Sequence, residues 1–360
     1  MNVGDHFPAI AAMYTKSLIA GNNLTGIIMR AESLKGYLQA VNELFEAKSC
    51  PPPVDFANPK VCRAAEFYHQ VQTWEEEPNR RTHMTPEFLH ELISQADATQ
   101  DKDSFVPVMV DWTIMARYAG FRMCEVGQRT QTRIEYHIVP VTGRRIMKAF
   151  CRGDFQFFDA HGFRITDVLN NASLIRQLKI LWRVQKNRRN GQWITWWIDT
   201  VNPRLCMVAA AIRIYLRSLY HDPKGEHPLG FYTEKGRVKY ITGRKFNLYL
   251  KDVAQKIYPD ITPKELSQFS AHMWRVTACV LLQQAGKDSD YIKKRLRWAG
   301  ESYKIYLRDT SVLARQHLAA VSPQVGHFTD AYRLEPLALP ANPLENQEPV
   351  DVNAGQYDAF

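Results

Sequence analysis

The sequence predicts a mainly α protein with a small antiparallel β-sheet, built as an N-terminal helical bundle followed by a larger second domain. Three observations lead there. Apolar residues recur at helical spacing over most of the chain, and only the stretch from roughly 150 to 200 shortens to strand alternation. A charged, proline-containing interruption, "EEEPNRRTHM", separates two helical regions and places a domain break at 76–84. With 360 residues there is room for two domains, the larger with a sizeable core.

Taken in order, residues 6 to 75 read as helices. "SLKGYLQAVNELFEA" sets Leu34, Leu38, Val41, Leu44 and Phe45 on one apolar stripe. "KSCPPPVDFANPK" is a proline-rich turn, and "KVCRAAEFYHQVQTWEEE" is helical again. The next helix has a start signal, with Thr85 as N-cap, Pro86 in the first position and Glu87 in the first turn. "VPVMVDWTIMARYAGFRMCEVGQRT" is a long apolar helix interrupted at Gly120. "GDFQFFDAHGFRI" alternates around a turn. "QLKILWRVQKNRRNGQWITWWID" gives two strands joined through Asn190-Gly191, a strong hairpin signal. "PRLCMVAAAIRIYLRSLY", "TGRKFNLYLKDVAQKIY" and the segment after Ala271 return to helix. The organisation expected is a helical domain over 1–80, a second domain over 81–322, and an acidic, Pro-rich tail over 323–360, extended or disordered when alone.

Charge narrows the partners. From Pro323 onward six acidic residues face the single Arg333, so a net charge of +9 leaves the body near +14. A body that basic expects a polyanion, most simply nucleic acid, with an acidic membrane surface as the weaker alternative. The six cysteines are scattered, with no C-x-x-C and no Cys/His spacing suited to a metal, so reduced thiols, an intracellular setting and no metal site are expected. The N-terminus lacks a basic region followed by an apolar run, so no secretory signal is expected there, and no apolar stretch is long enough for a membrane span.

The densest chemistry lies in "AHMWRVTACVLLQQAGKDSDYIKKRLRWAGESYKIYLRD". His272 and Arg275, at i and i+3, share a helical face. Cutting a phosphodiester without a metal needs a nucleophile, cations around the non-bridging oxygens, and an acid for the departing oxygen. Arginine suits the phosphate because its planar fork donates two hydrogen bonds and stays charged. Arg122, with Glu125 at i+3 able to hold it, follows the interrupting glycine. Lys186 sits at the hairpin mouth among Arg183, Arg188 and Arg189, a candidate DNA-binding patch, and Lys179 or Arg188 could serve in its place. Trp298 offers an indole N–H, and Tyr306 a phenol that can attack phosphorus and leave again.

The order Arg122, Lys186, His272, Arg275, Trp298, Tyr306 resembles the tyrosine recombinases, the phage integrases and their relatives. "ARYAGFRMCEVGQRT" is similar to the family's first-arginine box, "SAHMWRVTACVLLQQAG" to its H-x-x-R box, and "LRWAGESYKIYLRD" to its last box. Trp298 where bacterial members carry His is more like the recombinases of eukaryotic mobile elements such as Cryptons and DIRS-like elements. The resemblance covers about 110 to 310. Two departures stand out: Phe121 replaces the Leu before the first arginine, and Arg297 replaces the Gly before the last-box residue. Tyr303 also lies within the last box, and the Trp-to-Tyr spacing favours Tyr306 over it.

The resemblance implies a tyrosine-recombinase-like catalytic domain over 81–322 behind a core-binding, DNA-clamping domain over 1–80. It implies DNA cleavage and rejoining with no cofactor and no metal. Tyr306 would form a 3′-phosphotyrosyl link, Arg122, Arg275 and Trp298 would stabilise the phosphorane, His272 would take or orient the tyrosine proton, Lys186 would protonate the leaving oxygen, and Glu125 would support Arg122 from behind. Double-stranded DNA, a homo-tetramer formed by exchange of C-terminal segments, no membrane, and the nucleus in a eukaryotic host are the corresponding expectations. A DNA-binding descendant that no longer cuts, and a type IB topoisomerase, are the alternatives.

Overall fold

The structure, a computed structural model, describes residues 6–21, 29–60, 62–75, 81–139, 141–185, 190–298 and 300–307. Within them the helices are α1 (Phe7–Ile19), α2 (Ala31–Glu46), α3 (Arg63–Trp74), α4 (Pro86–Ala98), α5 (Phe105–Ala119), α6 (Met123–Val126), α7 (Val168–Asn171), α8 (Met207–His221), α9 (Gly243–Ile257), α10 (Pro263–Leu266), α11 (Met273–Gln284) and α12 (Ser289–Leu296). The strands are β1 (Tyr136–Ile138), β2 (Arg145–Met147), β3 (Phe155–Phe158), β4 (Arg164–Ile165), β5 (Gln177–Trp182), β6 (Gln192–Trp197), β7 (Phe231–Glu234) and β8 (Arg237–Tyr240). The protein is thus mainly α with small antiparallel sheets. The tail expected over 323–360 lies outside the described residues.

The chain divides into two compact units, one of residues 1–82 with 244–270, the other of 83–243 with 271–360. The change of unit near Thr82 falls within the sequence's 76–84 break. Residues 244–270, which sequence order assigns to the second domain, group with the first. In that unit Leu34 and Leu38 of α2 meet Ala11 and Leu18 of α1 and Ala64, Ala65 and Tyr68 of α3 in one core. Leu44 departs from the expected stripe: it is 61% exposed. At about 100° per residue it stands some 80° off the line through Leu34, Leu38, Val41 and Phe45. Phe45 instead meets Phe7 edge-on, with ring centroids 4.6 Å apart.

In the second unit α4 starts as its sequence predicts, with the Thr85 hydroxyl accepting from the Phe88 N–H at 3.2 Å. The apolar helix α5 is buried on nearly all sides. α4, α8 and α11 pack around it. Its one acidic residue, Asp111, is held by Arg213 at 2.7 Å and Arg217 at 3.2 Å from α8. A buried polar group needs such partners. Gly120 ends α5 in the left-handed region at φ +55°, where a side chain is disfavoured. Trp112, Phe121, Phe150, Phe155 and Trp182 form an aromatic core behind that end.

The sheet expected from 150 to 200 is four-stranded, in the order β4-β3-β5-β6, with every pair antiparallel. Two further hairpins, β1–β2 and β7–β8, went unrecognised in the sequence. β1 and β2 have three residues each, too short for alternation to register. β7 and β8 turn through Lys235 and Gly236, both at positive φ, a hairpin turn made without Asn or Asp. Gly230, just before β7, is needed for close approach: a Cβ there would lie 1.9 Å from the Val126 carbonyl oxygen. The hairpin therefore backs directly onto α6.

Leu34→Ala is expected to lower stability by about 2–5 kcal/mol in urea unfolding, as for other fully buried leucines. Leu44→Ala should change it by less than about 0.5 kcal/mol.

Candidate active site

The seven predicted site residues within the described set, Arg122, Glu125, Arg183, His272, Arg275, Trp298 and Tyr306, all belong to the second unit. Arg122 is the N-cap of α6. Glu125, three residues on, accepts from the Arg122 backbone N–H and from its guanidinium, each at 3.0 Å. The helix is one turn long, so this two-point hold by Glu125 is what fixes its start. His272 is the N-cap of α11, and Arg275 lies in the first turn, buried.

The Arg275 guanidinium reaches across to the end of α5 and donates Nη1–H to the Gly120 carbonyl at 2.9 Å. The carbonyl end of a helix carries partial negative charge, so a cation is favoured there. The same guanidinium lies over the Trp298 ring, 4.0 Å from its centroid. Its Nη2 is buried with no hydrogen-bond partner among the described residues. Burial, and then the neighbouring Arg122 charge, push the Arg275 pKa down to about 10, which leaves it charged at neutral pH.

Tyr306 ends a 3-10 turn over Glu301–Tyr306. Its hydroxyl is 2.7 Å from His272 Nε2. Its ring lies 5.6 Å from that of Trp298, centroid to centroid. Imidazole, phenol, indole and guanidinium thus form one continuous cluster. Tyr303, one 3-10 turn earlier, is fully buried, and its hydroxyl has no hydrogen-bond partner among the described residues. Of the two tyrosines, Tyr306 is the one whose oxygen meets an imidazole nitrogen.

Trp298 is placed differently from the role its sequence context suggests. Its indole N–H is buried and meets no oxygen or nitrogen acceptor among the described residues, facing the soft sulfur of Cys279 instead. Burial pushes that thiol up to about 12, so it stays neutral. In this arrangement the indole offers Arg275 its face rather than offering a ligand its N–H.

Lys186, Arg188 and Arg189 lie outside the described residues. Arg183, at the hairpin mouth, is engaged internally, 2.6 Å from Asp154 and 2.8 Å from the Ala149 carbonyl. Lys179 rests its ammonium 4.3 Å from the Phe158 ring centroid. Among the described residues no three His, Cys, Asp or Glu side chains are grouped to hold a metal. All six cysteines are free. No described helix is long and apolar enough to cross a membrane.

One residue of the cluster was noted in the sequence only as a departure. Arg297 follows α12 at φ +59°, a left-handed position that costs a side-chain-bearing residue roughly 1–2 kcal/mol. Its side chain is 0% exposed and 3.3 Å from Glu125. It donates to the Ala119 carbonyl at 3.0 Å and lies 3.9 Å over the Trp182 ring. The basic run Lys293, Lys294, Arg295 before it hides this burial, since nothing in the spacing separates one cation from the next.

No family model matches the chain, and no curated protein matches it in sequence. Solved structures that it is similar to include the Tn1549 transposon integrase in complex with circular intermediate DNA, at 13% identity over 86% of this chain and 85% of that one, with a TM-score of 0.46. They also include the XerH site-specific recombinase bound to palindromic difH substrate in a post-cleavage complex, at 14% identity over 88% and 72%, TM-score 0.46. The XerA recombinase is similar at 12% identity over 87% and 92%, TM-score 0.38.

Removing the shared carboxylate leaves buried guanidiniums without their counter-charge. Glu125→Ala is therefore expected to cost about 3–5 kcal/mol, as other broken buried pairs do, measured by urea unfolding.

Proposed function

We propose that this chain cuts and rejoins double-stranded DNA at specific sites through a covalent 3′-phosphotyrosyl intermediate, as a tyrosine recombinase or integrase of a mobile element. The observation that carries the reading is the 2.7 Å contact between His272 Nε2 and the Tyr306 hydroxyl, made beside buried Arg275 with its unpartnered Nη2. A phenol poised on an imidazole next to a cation with a spare donor is a nucleophile facing an anion site. The three sequence boxes that resemble the family contribute these groups from distant parts of the chain.

In the proposed step the Tyr306 oxygen attacks phosphorus while His272 accepts or orients its proton. Arg122 and Arg275 hold the non-bridging oxygens, and Trp298 supports Arg275 through its ring face. A direct hydrogen bond from Trp298 to phosphate would require the indole to turn. The P–O5′ bond breaks as the P–O(tyrosine) bond forms, and Lys186 protonates the departing oxygen. One phosphate ester replaces another, so the step needs no external energy source. Attack by a 5′-hydroxyl reverses it. A Crypton- or DIRS-like origin, a tetramer joined by exchange of C-terminal segments, and a nuclear location in a eukaryotic host belong to the same proposal. They rest on the Trp298–Tyr306 box and the family resemblance.

The test is incubation with nicked duplexes of randomised sequence, followed by denaturing electrophoresis. A covalent protein–DNA adduct is expected, absent in Tyr306→Phe and retained in Tyr303→Phe. Binding should weaken steeply with salt as counterions are released. An adduct that requires Tyr303 would move the nucleophile. Tight binding with no adduct on any sequence would favour a DNA-binding protein that does not cut.

A further inference from the structure

Arg297 makes none of the contacts to phosphate in the proposed step, yet it is the most thoroughly buried cation of the cluster. It occupies a backbone conformation suited to glycine, so something about its side chain offsets the strain. Three surfaces meet that side chain at once. Nη1 donates to the Ala119 carbonyl at 3.0 Å, Nη2 approaches Glu125 Oε2 at 3.3 Å, and the guanidinium face covers Trp182 at 3.9 Å. Only a planar fork with a stackable face can make all three contacts, since a lysine ammonium is a point donor.

The partners give these contacts meaning. Ala119 and Gly120 are consecutive at the end of α5, and their carbonyls accept from Arg297 and Arg275 respectively. Glu125 holds the Arg122 guanidinium with Oε1, while its Oε2 accepts from both the Arg122 backbone N–H and Arg297 Nη2. Arg297 also immediately precedes Trp298, the platform under Arg275. One side chain therefore ties together both arginine-bearing segments and the Trp298 turn.

We infer that Arg297 is a positioning residue: by engaging Glu125 Oε2 beside the Arg122 backbone N–H it keeps the Arg122 guanidinium on Oε1 alone, free to turn its remaining donors to a phosphate, and it fixes the turn that supports Arg275. Without it, Oε2 would draw the Arg122 guanidinium into a two-oxygen grip and away from the substrate. The geometric part of this inference stands on the contacts above. Its catalytic consequence rests on the proposed DNA-cutting reading.

The test uses the full chain carrying Arg297→Gly, which suits the backbone and removes only the side chain. Adduct formation on the nicked duplexes is expected to slow at least about tenfold, with DNA affinity by fluorescence anisotropy held within about threefold. A rate within threefold of the parent would overturn the inference. So would a loss of affinity matching the loss of rate, which marks a DNA contact. If Arg297→Gly does not fold, Arg297→Lys is measured against the same limits. In parallel, a urea-unfolding cycle of Arg297→Gly with Arg122→Ala is expected to be non-additive by more than about threefold in the folding constant. Additivity there sinks the positional coupling whether or not the parent forms an adduct, whereas a parent without adduct sinks only the DNA-cutting reading.

Discussion

The organisation around the candidate site depends on a single carboxylate. Glu125 contacts both Arg122 and Arg297, and Arg275 lies close enough to feel both cations and the anion. Burying guanidiniums is costly, and here the cost appears as Arg275 and Arg297 each pushed down to about 10, chiefly by desolvation. Two things make the arrangement tolerable: the Glu125 charge, and the buried carbonyls at the end of α5 that no helical N–H takes up. The second depends on the chain stopping at Gly120, because a helix continued by one more turn would satisfy those carbonyls internally. The β7–β8 hairpin then closes on α6 over Gly230, which places Glu125 against the protein interior.

Beside that cationic ground stands the His272–Tyr306 pair. Tyr306 comes from the last described turn and packs with Val276, Cys279 and Leu296. The turn is 3-10, so residues three apart nearly eclipse and Tyr303 and Tyr306 face the same side. Depth separates them. The earlier ring is driven into the core, and the later one stays 8% exposed with its oxygen on the imidazole.

Much of this was legible in the sequence, and the residues show why. Thr85-Pro86, Gly120 and Asn190-Gly191 carry local signals that hold whatever surrounds them, and the structure keeps an element boundary at each. Leu44 misled because a stripe drawn by eye tolerates an 80° error that packing does not. The β7–β8 turn lacked the expected Asn or Asp. The grouping of 244–270 with the first unit has no local signature, since it is decided by long-range packing alone. At the site, the order of polar residues marked Arg122, His272, Arg275 and Tyr306 as candidates, and the structure brings His272, Arg275 and Tyr306 together around Trp298. That order could not show that Trp298 turns its N–H inward, or that the neighbouring arginine rather than a glycine occupies a left-handed position.

The charge count explains why an extra buried arginine would accompany this chemistry. A phosphodiester carries one negative charge, and attack by a phenolate makes the pentavalent intermediate a dianion. Arg122 and Arg275 offset by Glu125 alone would present a field of only about +1, matched to the ground state. In the proposed reaction Arg297 would raise it to about +2 from behind the phosphate's own contacts, because interactions in a desolvated site persist at distances where water would screen them. Such a field would favour the intermediate over the bound substrate, which is the differential stabilisation that speeds a reaction. On that proposal a glycine at 297 would ease the backbone and lose the difference.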